Sequence, residues 1–152
     1  MLSKTQDTNM CTNEGLDFLL DCVFGAKAKV TTAWYVLIFE SDTTILATHT
    51  YAVPGFTESS AYDEAARVEY VDVASSSQSM TNSASKAVFT ISDTKTIYGA
   101  ALVGATAGAI TTISNTDATN GILYCASQFG SAKSVVDNDV LNVTITLTAA
   151  DV

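Results

Sequence analysis

Few side chains in this chain are of a type that carries chemistry: one histidine, three cysteines, and acidic residues gathered in short stretches. Any Ser-His-Asp or Cys-His mechanism would have to run through His49, and no GxSxG elbow exists to present a nucleophile to it. A hydrogen-bonded strand histidine is the expectation. Cys11, Cys22 and Cys125 have no CxxC pair and no metal-type spacing, so they read as buried thiols. Asp17 and Asp21 stand one turn apart on a helix, a spacing that serves acid/base or metal chemistry when partner ligands exist. None stands nearby in sequence, and a solvated face is expected. Asp137-Asn138-Asp139 clusters oxygen ligands, yet it lacks the bidentate glutamate and the glycine of a calcium loop. An Asx-type turn at Asp137 and Asn138 is the reading there. Arg67 lies among Glu58, Asp63, Glu64 and Glu69, where a lone guanidinium pairs with a carboxylate rather than receiving a phosphate. The glycines at 99, 104 and 108 do not follow a nucleotide-binding spacing and predict a bulge or a close backbone approach. The formal acceptor Asn142-Val143-Thr144 means little without a secretory route. The expectation is therefore no catalytic residue, no cofactor and no metal.

The elements that hold these residues centre on 33–39, AWYVLIF, a short run rich in β-branched and aromatic side chains that predicts a central strand covered on both faces. One helix is predicted. Thr12 or Asn13 can cap it, Leu16, Leu19, Leu20, Val23 and Phe24 make an apolar stripe, and Gly25 stands where a left-handed C′ residue is wanted. That stripe predicts a helix laid on an end or face of the sheet. After a turn at 40–44, residues 45–52 read as the returning strand of a hairpin. Pro54-Gly55 marks a turn, 62–66 a short helix or loop, 68–73 a strand, and the serine-rich 75–85 an exposed loop. Residues 86–92 and 96–103 read as a second hairpin, with Val88 and Thr90 on one face and Phe89 and Ile91 on the other. Residues 111–120 read as a polar loop and 122–129 as a strand. In 140–148, Leu141, Val143, Ile145 and Leu147 face inward while Asn142, Thr144 and Thr146 face outward.

A length of 152 residues suits one domain. The expected division is an extended arm over 1–10 and a single β-rich domain over 11–152. With 47% hydrophobic residues, 15% charged residues and a net charge of -9, the chain is apolar enough to fold and too acidic to hold a phosphate backbone. No nucleic-acid partner is expected. No stretch reaches the roughly 18 apolar residues of a membrane helix, and the polar start lacks the apolar core of a secretory signal, so no membrane partner and synthesis in a cytoplasm are expected.

The segments TNEGLDFLLDCVFG, AWYVLIF, YAVPGFTE, NSASKAVFTISDTKTIYGAAL and DNDVLNVTITLT together resemble small β-rich structural proteins of tailed bacteriophages. In those proteins a GLD-x-LL helix precedes a WY-containing strand and a D-x-L-x-V-T strand closes the chain. The resemblance spans nearly the whole sequence and is most like a capsid decoration, or cement, protein. It implies a mainly β fold: an antiparallel β-sandwich, jelly-roll or β-tulip with one short N-terminal helix. It also implies a virion location on the outer capsid surface, the major capsid protein as partner, and a homotrimer. A tail or fibre component touching host glycans through Tyr51, Phe56 or Tyr62 is the alternative. The residues expected to meet partners are Leu2, Thr5 and Met10 on the arm, the aromatics Tyr51 and Phe56, and Met80 in the serine-rich loop.

Overall fold

The computed structural model describes residues 9–26, 28–29, 33–106, 110–114 and 120–149. The fold is mainly β and, among the described residues, has a five-stranded antiparallel sheet, two further strand pairs and one helix. Its elements are β1 (Met10–Cys11), α1 (Asn13–Phe24), β2 (Tyr35–Phe39), β3 (Val68–Glu69), β4 (Ser79–Thr81), β5 (Ala87–Thr90), β6 (Lys95–Ala105), β7 (Gly121–Val135), β8 (Val140–Val143) and β9 (Thr146–Thr148). The large sheet runs β1-β7-β6-β2-β3, and the pairs are β4-β9 and β5-β8.

Every residue of β2 is buried, as its composition predicts. Alternate side chains enter two cores. Val36 and Ile38 join Ala100, Leu102 and Cys125 against Ala87, Phe89 and Ile91 of the segment containing β5, and against Val143 and Ile145. The two strand pairs thus form a second layer, giving a sandwich-like arrangement. Tyr35, Leu37 and Phe39 point the other way and are covered by Ile45, Tyr51 and Ile110 from loops.

Several segments differ from the sequence reading. Residues 45–52 form no strand; β6 pairs along one edge of β2, and the other edge is met by β3 at Tyr35 and Val36 and by Glu58 and Ser59 at Phe39 and Ile38. The predicted hairpin of 86–92 with 96–103 is absent. β5 pairs with β8 in the second layer, while β6 pairs with β2 and β7. The predicted strand at 68–73 shrinks to Val68–Glu69. Residues 140–148 keep the predicted alternation but split, because Asn82 intervenes. Its amide donates to the Val143 carbonyl at 3.2 Å and accepts from the Ile145 N–H at 2.8 Å, serving backbone groups that a strand neighbour would otherwise serve. The serine-rich loop holds β4, preceded by a two-residue turn with Ser77 and Gln78 both at positive φ, the conformation of a tight hairpin.

The helix begins where predicted. Thr12 is the N-cap, and its hydroxyl accepts from Gly15 N–H at 3.0 Å while donating to the Leu123 carbonyl. Gly25 does not take the left-handed conformation; its φ is -97°. Thr12→Ala removes a cap from a fully buried position, with an expected loss of about 1–2 kcal/mol, read as a lower urea midpoint at unchanged m.

The docking of α1 follows from a bulge. Leu102 pairs with Cys125 and Val103 with Leu123, so Tyr124 is an extra residue in β7. The helix start satisfies the backbone groups this turns outward: Thr12 N–H donates to the Tyr124 carbonyl at 3.1 Å, and Leu123 N–H donates to the Glu14 carboxylate at 2.7 Å. The same carboxylate accepts from Tyr51 N–H at 2.8 Å, tying the 45–57 loop to the helix. Gly15 lies directly on the Tyr124 backbone, where a Cβ would collide with it. Phe18 meets Trp34 edge-on at 5.8 Å.

Candidate functional site

Two places gather functional groups or unusual surface. The first is a cleft of about 230 Å³ among loops on the Leu37 side of the sheet, with Arg67, Glu58, Tyr51 and Phe56 in its lining. Arg67 pairs with a carboxylate as its lone position predicts, and the partner is Glu58. Nε and Nη2 donate to the two carboxylate oxygens at 2.8 and 2.6 Å, and Nη1 donates to the Tyr51 hydroxyl at 2.7 Å and the Ile110 carbonyl at 3.0 Å. Ser114 N–H donates to the same carboxylate at 2.8 Å. Burial alone would lower the pKa of this guanidinium, but its bonds to Glu58 and Tyr51 more than offset that, and the net shift is upward. The arrangement joins three points of the β2–β3 connection to the β6–β7 connection through one ion pair. It is a structural clasp, with its strong donors directed at the protein itself.

The remaining chemistry-bearing residues lie outside this cleft. His49 sits in a turn rather than a strand, its ring against Gly55, which has φ of 74°. Cys125 is buried, and burial pushes its thiol up to about 12; Cys11 and Cys22 are only partly buried. At 137–139 the turn is made with Asn138 at φ 68° and the Asp139 carboxylate accepting from Val136 N–H, so Asp139 rather than Asp137 closes it. Among the described residues, no group of three His, Cys, Asp or Glu is placed to hold a metal ion. No helix among them is long and apolar enough to cross a membrane. Gly99 and Gly104 lie beneath the rings of Phe39 and Trp34, so each makes room for an aromatic; Gly99 also adjoins a register shift, and Gly108 is outside the described residues.

Of the residues expected to meet partners, Leu2 and Thr5 lie outside the described residues. Met10 is 44% exposed and opens β1, paired with Ala126, so the arm does not extend through residue 10. Phe56 and Met80 are half-buried, Phe56 stacked on Phe39 at 4.5 Å. Tyr51 corrects the expectation of an exposed aromatic: it is 3% exposed, its ring against Gly121 and its hydroxyl on Arg67. Tyr62 is likewise buried and meets Phe89 edge-on.

The second place is the outer face of α1. Leu16 and Leu19 are 43% and 44% exposed, Leu20 56%, Val23 61% and Phe24 84%. This is the stripe expected to lie on the sheet, and it faces away instead. At about 100° per residue, Gly15, Phe18 and Cys22 occupy the opposite side of the helix, and it is that narrower side which packs. The contacts of Thr12, Glu14 and Gly15 with the bulge fix the helix's rotation, and the stripe is left largely exposed among the described residues, most of all at Val23 and Phe24. Exposed Asp17 and Asp21 border it along one flank. Leu46, 51% exposed, comes from a loop joined to the helix start by the Asn13 N–H bond to the Ala47 carbonyl. Sequence periodicity finds the stripe but not the direction it faces.

Compared with known proteins, the chain matches no family model, no curated protein and no solved structure.

Proposed function

We propose that this protein is a structural component of a tailed-bacteriophage particle, a decoration or cement protein that binds coat subunits on the outer shell. The observation that carries the protein-binding part of this reading is the outward apolar stripe of α1. Five large apolar side chains on consecutive turns form a contiguous patch of the kind that marks a protein contact, and covering it would release water from each of them. Recognition would follow the helix-in-groove mode, with Leu16, Leu20 and Phe24 as anchors. The acidic flank of Asp17 and Asp21 favours a groove edged by Lys or Arg, and it disfavours an anionic lipid surface. The assignment to a phage shell is supported by the sequence segments that resemble such proteins.

The test is to quantify the chain in purified particles and to compare it with Leu20→Lys/Phe24→Lys. Both positions are solvent-exposed, so thermal unfolding should stay within about 2 °C of the parent. Copies per particle should fall more than tenfold, since aromatic anchors commonly contribute 2 kcal/mol or more, that is, roughly thirtyfold in affinity. Equal loading of the variant would remove the helix face from the interface. Absence of the parent chain from particles would remove the role itself.

A further inference from the structure

Cys11 and Cys125 face each other directly across the β1–β7 ladder. Directly opposed residues of an antiparallel pair project to the same side of the sheet, and here both side chains belong to the core beside Val36 and Leu102. The ladder's phase is fixed one residue further on. Thr12 N–H donates to the Tyr124 carbonyl, its cross-strand opposite in this register, so the 12/124 pair is hydrogen-bonded. Pairs alternate along an antiparallel ladder, which makes Cys11/Cys125 a non-hydrogen-bonded pair, the type with Cα atoms about 4.5 Å apart and side chains closest. Disulfides span Cα separations of about 4.4–6.8 Å. Both thiols are free in this structure.

We propose that Cys11 and Cys125 are a disulfide-forming pair, closed by a low-molecular-weight disulfide such as oxidised glutathione and locking β1 to β7. Cys11 is the entry point, being half-buried where Cys125 is 1% exposed. Its thiolate attacks one sulfur of the small disulfide, the S–S bond breaks, and one glutathione leaves as thiolate. The Cys125 thiolate then attacks the Cys11 sulfur of the mixed disulfide and expels the second glutathione. Two protein thiols are oxidised by two electrons, one small disulfide is reduced to two thiols, and the two protons pass to the leaving thiolates. The bridge would stay open in a reducing medium and close in an oxidising one. Its consequence is mechanical. β1 is an edge strand of two residues that leads into α1, and the bridge would hold its end to the longest strand of the sheet.

The experiment exposes the full chain to oxidised glutathione, quenches with acid, and counts free thiols in denaturant. The three thiols should fall to one, with no glutathione adduct retained, and a non-reducing digest should yield the Cys11 peptide joined to the Cys125 peptide. Cys22→Ser, at a partly buried position near the end of α1, should close the same bridge and leave no free thiol. Closing so long a loop in the native register should raise Tm by about 5–10 °C, reversed by dithiothreitol. Persistence of all three thiols, stable glutathione adducts without closure, or a bridge involving Cys22 would each overturn the pairing. So would a Cys11–Cys125 bridge that lowers Tm, because that would require a register other than this one.

Discussion

Glu58→Ala is expected to destabilise the protein by about 3–5 kcal/mol, a fall in Tm on the order of 10 °C. The Arg67 and Glu58 side chains are only 2% and 7% exposed, so removing the carboxylate strands a guanidinium away from water. The Tyr51 hydroxyl and the Ile110 carbonyl remain as its neutral acceptors, and Ser114 N–H loses its partner as well. The loss therefore measures the uncompensated charge rather than the worth of the pair. A double variant shows the difference: Glu58→Leu with Arg67→Met removes both charges and should recover most of the stability, since buried ion pairs are often matched by apolar residues of similar volume. Thermal unfolding of the three proteins decides it. A Glu58→Ala protein within about 1 kcal/mol of the parent would mean that water reaches Arg67 and that the clasp is not closed in solution.

Phe39→Ala should cost a similar amount, about 3–5 kcal/mol, by a different mechanism. Phe39 is fully buried, stacks on Phe56 at 4.5 Å and lies over Gly99, where no side chain exists to fill the space it would vacate. The cavity would open between β2 and the loop carrying Phe56, and a rigid sheet floor limits how far it can collapse. Chemical denaturation should show a lower midpoint at unchanged m. Phe56→Ala, at a half-buried position, should cost clearly less. If Phe39→Ala and Phe56→Ala were equal, the stack would be closing the core only as a unit, and Gly99 would not be the reason Phe39 is irreplaceable.

The legible parts of this fold were those governed by local periodicity. β2 could be recognised because an unbroken β-branched and aromatic run has little alternative to a two-sided buried strand. The alternations in 86–92 and 140–148 were readable for a related reason: a period of two sends every second side chain to one face whatever the strand pairs with. The cap at Thr12 and the Arg67 ion pair followed from the chemistry of single residues. Pairing was not readable in the same way. β5 and β6 are neighbours in sequence separated by a turn, yet they lie in different layers, because β5 is completed by β8 about fifty residues later. Asn82 gave no signal at all within its serine-rich surroundings, and its role as a substitute strand neighbour exists only once Val143 and Ile145 are beside it.

By itself, then, the sequence determined that β2, β5, β6, β7 and β8 extend, which segment coils, which side chains share a face, and that the chain is acidic with few groups able to do chemistry. Only the tertiary structure decided which faces are covered. A hydrophobic stripe states that a helix has something to bury, but the side that meets the sheet was chosen by one extra residue at Tyr124, whose freed backbone groups are met by Thr12 and whose surface admits only a glycine at position 15. Hydrogen bonds and close backbone contact are directional where the hydrophobic effect is not. They set the helix's rotation, and its leucines and Phe24 were left facing outward.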